Sequence, residues 1–127
     1  MYILDSDFVY AYFVHTQSTH LVAKNILINI AEQPLFMLDV VKYELATVIS
    51  RKETQQMAID IIGDLEFFEL KSITINKMDE TKIWELFKSY SKKNISFVDC
   101  ANLYFAQKLN YQIASFDQFY PKDVLCQ

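Results

Sequence analysis

Short apolar runs alternate along this chain with longer segments in which apolar residues recur every three or four positions. Such runs are typical of buried β-strands, and the recurring spacing is typical of amphipathic helices. The runs predict strands at residues 2–4, 35–38, 67–73 and 112–116, with a short fifth strand at 124–126. The spacing predicts helices at residues 7–13, 39–51 and 96–109. It predicts three more whose starts stay open: one from residue 18 or 19 to about 32, one from 53 or 54 to about 63, and one from 76 or 79 to the turn at 92–94. Asp39 is the expected N-cap of the third helix.

Strands separated by helices indicate βαβ units, a parallel sheet and right-handed crossovers. We therefore expect an α/β fold: a three-layer α/β/α sandwich around a mostly parallel sheet of four to five strands. The sequence of 127 residues contains no linker, internal repeat or low-complexity stretch. Residues 1–127 are therefore expected to form one domain.

The composition supports a helix-rich globular protein. Hydrophobic residues make up 52% of the chain, which excludes the disordered class, and one Gly with two Pro leaves few tight turns for an all-β architecture. No apolar run approaches the ~20 residues of a membrane span, and the apolar start has no basic leader. We expect a cytoplasmic protein without a membrane partner, in which Cys100 and Cys126 are reduced thiols that match no metal or redox spacing.

Four acidic residues stand where a parallel sheet would bring them together. Asp5 and Asp117 each follow an apolar run, at the C-terminal tip of a predicted strand. Asp99 fits a capping box with Ser96 in the first turn of a helix, and Glu44 lies in the helix after the second strand. Each acid alone is also explained as a helix cap, a turn residue or a surface residue. Together they are expected to share one crevice, because ligand sites of parallel sheets lie beyond the C-terminal ends of the strands.

A cluster of carboxylates of this kind requires cations. Two carboxylates ~4 Å apart repel each other by about 4 kcal/mol at an effective dielectric constant of ~20. Ligation by oxygen alone favours Mg²⁺ or Mn²⁺ over zinc. Such a site suits metal-assisted phosphoryl-group chemistry, in which a metal-bound water is the nucleophile and the metal charge stabilises the transition state.

The spacing of these acids resembles that of the PIN domains, and in particular of the single-domain VapC-type toxins. The likeness spans nearly the whole chain and includes the order of the elements. The matching segments are Tyr2-Ile3-Leu4-Asp5-Ser6, Val41-Lys42-Tyr43-Glu44-Leu45, Phe97-Val98-Asp99-Cys100-Ala101 and Ser115-Phe116-Asp117-Gln118-Phe119.

The resemblance implies a metal-dependent endoribonuclease that hydrolyses RNA phosphodiester bonds with one or two Mg²⁺ or Mn²⁺ ions. It also implies a homodimer and, in toxin members, a cognate antitoxin protein. Ser6 and Ser115 match small hydroxyl positions beside the acids, and their implied role is to hydrogen-bond the metal ligands. The implied catalytic and metal-binding residues are Asp5, Glu44, Asp99 and Asp117.

Two residues depart from the family pattern. Asp7 adds an acid where a neutral residue is commoner, and Cys100 follows Asp99. Asp7 is also explained as a partner of the helix dipole in a first turn. The net charge of −4 and the pI of about 5.1 count against binding of nucleic acid, because such binding relies on basic surface. Lys42 and Arg51 are the candidate substrate-binding residues, because they would supply a local basic rim.

Three other functions use early acids on a similar fold. The segment Asp5-Ser6-Asp7-Phe8-Val9 fits the D-x-D-x-[TV] motif of haloacid-dehalogenase-type phosphatases, with Asp5 as nucleophile, but no late acidic pair follows a strand. A receiver-like signalling domain needs an Asp after the third strand, and residues 67–75 offer none. A non-catalytic PIN-like binding module would keep the fold without the activity, and the complete acid set argues against it.

Overall fold

A four-stranded parallel sheet in the order β3-β2-β1-β4 forms the centre of the computed structural model, which describes residues 1–126. The strands are β1 (Tyr2–Leu4), β2 (Leu35–Leu38), β3 (Lys71–Ile73) and β4 (Gln112–Ala114). The helices are α1 (Ser6–Phe13), α2 (His20–Ile30), α3 (Asp39–Lys52), α4 (Gln55–Leu65), α5 (Lys77–Lys88) and α6 (Phe97–Leu109). The predicted α/β fold is confirmed. None of the helices within residues 1–126 is both long and apolar enough to cross a membrane.

The strand order reverses once along the chain. From β1 the sheet grows through β2 to β3, and β4 then returns to the other side of β1. With right-handed crossovers, this reversal places α1 to α4 on one face of the sheet and α5 and α6 on the other. Accordingly α1 packs against both α2 and α3, and α3 packs against α4. On the other face, α5 packs against α6. The C-terminal ends of β1 and β4 flank the switch point, where open α/β sheets bind their ligands.

The third strand is shorter than the sequence predicts. The apolar run predicts a strand from residue 67, but β3 begins at Lys71. Glu66–Phe68 form a 3₁₀ turn after α4, and Glu69 ends it in the left-handed conformation (φ 54°, ψ 39°). A left-handed residue interrupts extended backbone. Within this segment, Phe68 packs edge-on against aromatic rings of α1, whereas Phe67 is exposed.

Two smaller expectations also differ from the structure. The predicted fifth strand is a single parallel bridge between Leu125 and Ile113. Strand β2 runs directly into α3, so Leu38 rather than Asp39 is the N-cap of that helix. The Asp39 carboxylate instead accepts a hydrogen bond from Thr74 Oγ1 at 2.6 Å.

The sheet and both helical layers enclose one buried apolar core. Burying a side chain such as Leu or Ile stabilises the fold by about 1.5–3 kcal/mol. The core therefore fixes the strands, and with them the positions of the residues that follow each strand tip. Fully buried core side chains from the strands and helices include Ile3, Leu38, Leu45, Ile83 and Ile113.

Candidate active site

The switch point between β1 and β4 brings distant acidic and hydroxyl residues together. Asp5 directly follows β1 and accepts the N–H of Ser6 as the N-cap of α1. Ser115 directly follows β4, and its Oγ lies 2.9 Å from Asp5 Oδ2. Parallel pairing of β1 with β4 explains this contact, because the pairing aligns the two strand ends.

Asp5 is the most enclosed of the clustered acids, with only 3% of its surface exposed. Its Oδ1 accepts hydrogen bonds from the Ser6 N–H (2.8 Å) and from Asn102 Nδ2 (3.1 Å). Its Oδ2 lies within hydrogen-bond distance of Ser115 Oγ (2.9 Å) and Tyr120 Oη (3.1 Å). A carboxylate offers about four acceptor positions. Protein groups therefore surround both oxygens of Asp5, and two of these groups are shared with other acids, Ser115 with Asp7 and Tyr120 with Asp99.

The pKa of Asp5 is raised to about 7. Burial is the main cause, and the negative charge of Asp7 adds to it. The hydrogen bonds from Ser115 and Ser6 lower the pKa, but they offset the rise only in part. Near neutral pH, Asp5 thus exchanges a proton readily.

Asp7 joins the site as well as the first turn of α1. Its carboxylate accepts the N–H of Phe116 at 3.2 and 3.3 Å, and Ser115 Oγ lies 3.1 Å from its Oδ1. Burial, and to a smaller degree the charge of Asp117, raise the pKa of Asp7. These bonds tie the backbone after β4 to the first turn of α1.

Glu44 reaches the site from α3. Ser6 Oγ donates a hydrogen bond to Glu44 Oε2 at 2.8 Å, which links α3 to the first turn of α1. Burial is the main reason why the pKa of Glu44 is raised, and the charge of Asp99 contributes. The side chain therefore points towards the other acids.

Asp99 combines a helix cap with a place in the cluster. The predicted capping box is present: Ser96 Oγ accepts the N–H of Asp99, and the Asp99 carboxylate accepts the N–H of Ser96. Its other oxygen lies 3.5 Å from Tyr120 Oη. Burial and the charge of Asp117 raise the pKa of Asp99. The cap and the site coexist because α6 begins at this edge of the sheet.

Asp117 lies at the rim of the cluster. Its N–H donates to Ser115 Oγ at 3.0 Å, and its carboxylate accepts the N–H of Phe119 at 2.9 Å. Its charge is close enough to raise the pKa of Asp7 and of Asp99. The structure thus brings all four sequence-predicted acids, and both serines, to one edge of the sheet.

Lys42 and Arg51 do not join this cluster. Lys42 lines a cavity of about 240 Å³ between α3, α4 and β3, and Arg51 lines a groove of about 550 Å³ between α3 and α4. Within residues 1–126, the ion pair of the fold is Lys108 with Asp79, and no basic side chain pairs with the clustered acids. The expected role of Lys42 and Arg51 in substrate binding therefore stays a prediction.

Asn102 and Tyr120 belong to the site but were not predicted. Asn102 Nδ2 also lies 3.2 Å from Tyr120 Oη, so the two side chains form a bridge over Asp5. Within residues 1–126, Asn102 Oδ1 is buried without a hydrogen-bond partner. The position of Asn102 three residues after Asp99, on one helix face, was a usable signal. Tyr120 lies in a loop without hydrophobic periodicity, and no sequence signal there indicated a place in the site.

The donor set of the site fits a hard divalent cation. All the acidic side chains offer oxygen, and the orphaned Asn102 Oδ1 is a further oxygen acceptor. Among residues 1–126, no three His, Cys, Asp or Glu side chains are already arranged around one ion position. Mg²⁺ usually retains several waters and takes only one or two carboxylates, so this arrangement suits Mg²⁺ or Mn²⁺ better than an ion that needs an all-protein cage.

Comparisons with known proteins agree with this geometry. The PIN domain family model matches residues 2–121. The VapC20 toxin of Mycobacterium tuberculosis, described as a toxin that cleaves the sarcin-ricin loop, has a similar structure with a TM-score of 0.81. That match has 18% sequence identity and covers 94% of this chain and 92% of the toxin chain, and it shows the fold. No curated protein sequence matches the chain. By its family model over nearly the whole sequence, the chain belongs to the PIN domain family.

Proposed function

We propose that this chain is a metal-dependent endoribonuclease that hydrolyses RNA phosphodiester bonds, and that it is the toxin of a toxin–antitoxin pair. One observation carries the proposal: five carboxylates converge at the switch point, and no basic side chain of residues 1–126 neutralises them. Concentrated negative charge of this kind is stable near neutral pH only with protons or cations. Family membership supports the same activity.

The residues proposed to hold Mg²⁺ or Mn²⁺ are Asp5, Glu44, Asp99 and Asp117. When bound, the ion supplies a more acidic water and positive charge at the phosphate oxygens. The protein contributes fixed geometry. Ser6 donates both its backbone N–H to Asp5 and its hydroxyl to Glu44, so one residue orients two acids. Ser115 lies between Asp5 and Asp7, where its single proton can point to either carboxylate.

Asn102 and Tyr120 hold Asp5 from the opposite side. Tyr120 is buried, with 2% of its surface exposed, and burial raises the pKa of its hydroxyl further above the ordinary value. The hydroxyl therefore stays protonated and remains a donor to Asp5 at every pH at which the enzyme would operate. The two residues are positioning residues, because they act through Asp5.

The phosphatase alternative loses its support. The chain belongs to the PIN domain family, and no late acidic pair follows a strand as the phosphatase mechanism needs. The non-catalytic binding module stays as the second candidate, because an intact acid cluster does not by itself require turnover.

A cleavage assay separates the two candidates. Purified protein is incubated with single-stranded RNA and Mg²⁺ or Mn²⁺, with and without EDTA. Asp5→Asn and Asp99→Asn are expected to abolish cleavage, and Asp60→Asn, an exposed acid on α4, is the matched control. Equal cleavage by all variants, or none by the wild type under any metal condition, contradicts the nuclease proposal.

The homodimer and the antitoxin partner are part of the same proposal. We expect light scattering to give twice the chain mass, and we expect growth arrest on expression that a small protein from a neighbouring reading frame relieves. A monomeric mass would contradict the homodimer, and unaffected growth would contradict the toxin and antitoxin roles. Neither result bears on the cleavage assay.

A further inference from the structure

A second groove lies beside the acid cluster, on the same edge of the sheet. We name it the aromatic groove. Its volume is about 450 Å³, within the usual range of ligand pockets. It opens between α3, α5 and α6, next to the residues that follow β2 and β3. Its aromatic walls are Tyr43, Trp84 and Phe97, and its polar groups are Asp39, Thr74 and Glu80.

The aromatic groove is continuous with the site through shared elements. Tyr43 immediately precedes Glu44 on α3, and Phe97 stands two residues before Asp99 at the start of α6. A strand of RNA with a phosphate at the acid cluster would therefore bring a neighbouring nucleotide to this groove.

Two aromatic rings of the groove are exposed, and one of them, Trp84, is held in place by its neighbours. Tyr43 is 66% exposed and Trp84 is 42% exposed, which is unusual for side chains of this size. Trp84 packs against Phe97 with ring centroids 4.5 Å apart and ring planes tilted by 46°, and its Nε1–H donates to Glu80 Oε2 at 3.3 Å. A ring that is fixed on one side and open on the other is suited to stack a flat ligand.

The charge of the groove selects the kind of ligand. Asp39 and Glu80 line it, and among residues 1–126 no Lys, Arg or His does. One oxygen of each carboxylate is engaged, by Thr74 and by Trp84 respectively, and the other can accept a further hydrogen bond. A phosphate would be repelled here. An unpaired nucleobase has N–H donors on its pairing edge and a flat face, and single-stranded RNA is read in this manner.

We infer that the aromatic groove is a subsite for one unpaired nucleobase, stacked on Trp84 and Tyr43, next to the scissile phosphodiester. The inference rests on the proposed ribonuclease function, and it adds the position at which one base of the RNA is bound. It also accounts for substrate binding by an acidic protein, because stacking does not require basic surface.

The single tryptophan of the chain makes the groove directly observable. Trp84 fluorescence is followed during titration with a short single-stranded RNA in the presence of EDTA, so that binding is measured without cleavage. The matched titration uses an abasic ribose-phosphate oligomer of equal length. We expect saturable quenching by the RNA and little quenching by the abasic oligomer. Equal quenching by both overturns the inference.

Variants identify the residues that grip the base. Tyr43→Ala is expected to weaken RNA binding about tenfold, by anisotropy of a labelled RNA, and Trp84→Ala at least as much. Phe67→Ala is the matched control, because Phe67 is 86% exposed and belongs to the 3₁₀ turn after α4, outside the groove. Thermal unfolding of each variant shows that the fold is kept. Unchanged affinity in folded Tyr43→Ala and Trp84→Ala overturns the inference.

Two further outcomes separate this inference from its rivals. If a second copy of the chain covers the groove, Trp84 emission will change with protein concentration in the absence of RNA, and the inference is overturned. Cleavage without base-dependent quenching overturns the inference alone. Base-dependent quenching without cleavage supports the subsite and contradicts the nuclease proposal.

Discussion

At the scale of single residues, Asp5 carries most of the chemistry of the site. Its carboxylate is buried, accepts from four donors and has a pKa raised to about 7 by burial and by neighbouring acids. Because the folded-state pKa lies above the unfolded value, protonation stabilises the fold. This contribution is fully present below the unfolded pKa, near 3.8, and is lost as the pH rises through about 7.

The pH dependence of stability is therefore a test of Asp5. Without divalent ions, we expect the thermal midpoint of the wild type to fall between pH 5 and about pH 8, by the equivalent of a few kcal/mol. Asp5→Asn should show a much smaller fall and be the more stable protein at the alkaline end. The Ser115 and Tyr120 hydroxyls face Oδ2 and can rotate to accept the new amide N–H groups. Parallel pH profiles of the two proteins would contradict the assignment.

Tyr120 provides a second test at this scale. Tyr120→Phe removes one donor to Asp5 and leaves a buried carboxylate less satisfied. We expect a loss of about 1–2 kcal/mol in the free energy of unfolding, measured by urea denaturation at neutral pH. Tyr111→Phe is the control, because Tyr111 precedes β4 at the end remote from the site. Equal stability of the two variants would show that the Tyr120 hydroxyl does not support Asp5.

The sequence could predict the acids but not their partners. Asp5 and Asp117 follow apolar runs, so the position of each could be predicted from strand patterning alone. Asn102 and Tyr120 approach Asp5 from 97 and 115 positions along the chain. Such contacts depend on how α6 and the last loop pack, and neither hydrophobic spacing nor a motif encodes that packing.

At the scale of elements, the prediction was most accurate where helix caps are explicit. Ser96 and Asn76 begin α6 and α5 through side-chain bonds to the third helical N–H. The start at Ser96 was predicted, and Asn76 was one of two starts predicted for α5, the other being Asp79. The error lies at residues 66–70, where an apolar segment suggested extended backbone. Glu69 adopts a left-handed conformation there, which hydrophobic patterning does not reveal.

The left-handed conformation of Glu69 destabilises the folded state measurably. A residue with a side chain is about 1 kcal/mol less stable in this backbone region, whereas Gly adopts it without strain. We expect Glu69→Gly to raise the free energy of unfolding by about 0.5–1 kcal/mol, by urea denaturation, despite the greater flexibility of glycine in the unfolded chain. Glu69→Ala serves as control and should give no gain. If Gly and Ala variants have the same stability, the backbone at this turn is not strained.

At the scale of the whole molecule, the strand order matters more than any motif. The return of β4 to β1 juxtaposes the two ends of the chain and makes one acidic edge out of scattered residues. The alternation of strands and helices indicated a parallel sheet, but the order of the strands within that sheet was not predicted. The sequence did not indicate that Lys42 and Arg51 line other cavities, because placement on a helix surface depends on the neighbouring helix.

The central claim is that the clustered carboxylates bind a divalent cation, and Mn²⁺ titration followed by electron paramagnetic resonance tests it directly. Free Mn²⁺ is counted at each step at a slightly alkaline pH. The account predicts saturable binding of one or two ions to the wild type and to Asp60→Asn, and binding at least about tenfold weaker in Asp5→Asn and Asp99→Asn. The Asp99→Asn variant keeps the α6 cap, because the Asn side-chain oxygen accepts the same bond. Equal Mn²⁺ binding by all four proteins, or none by the wild type, would contradict the account.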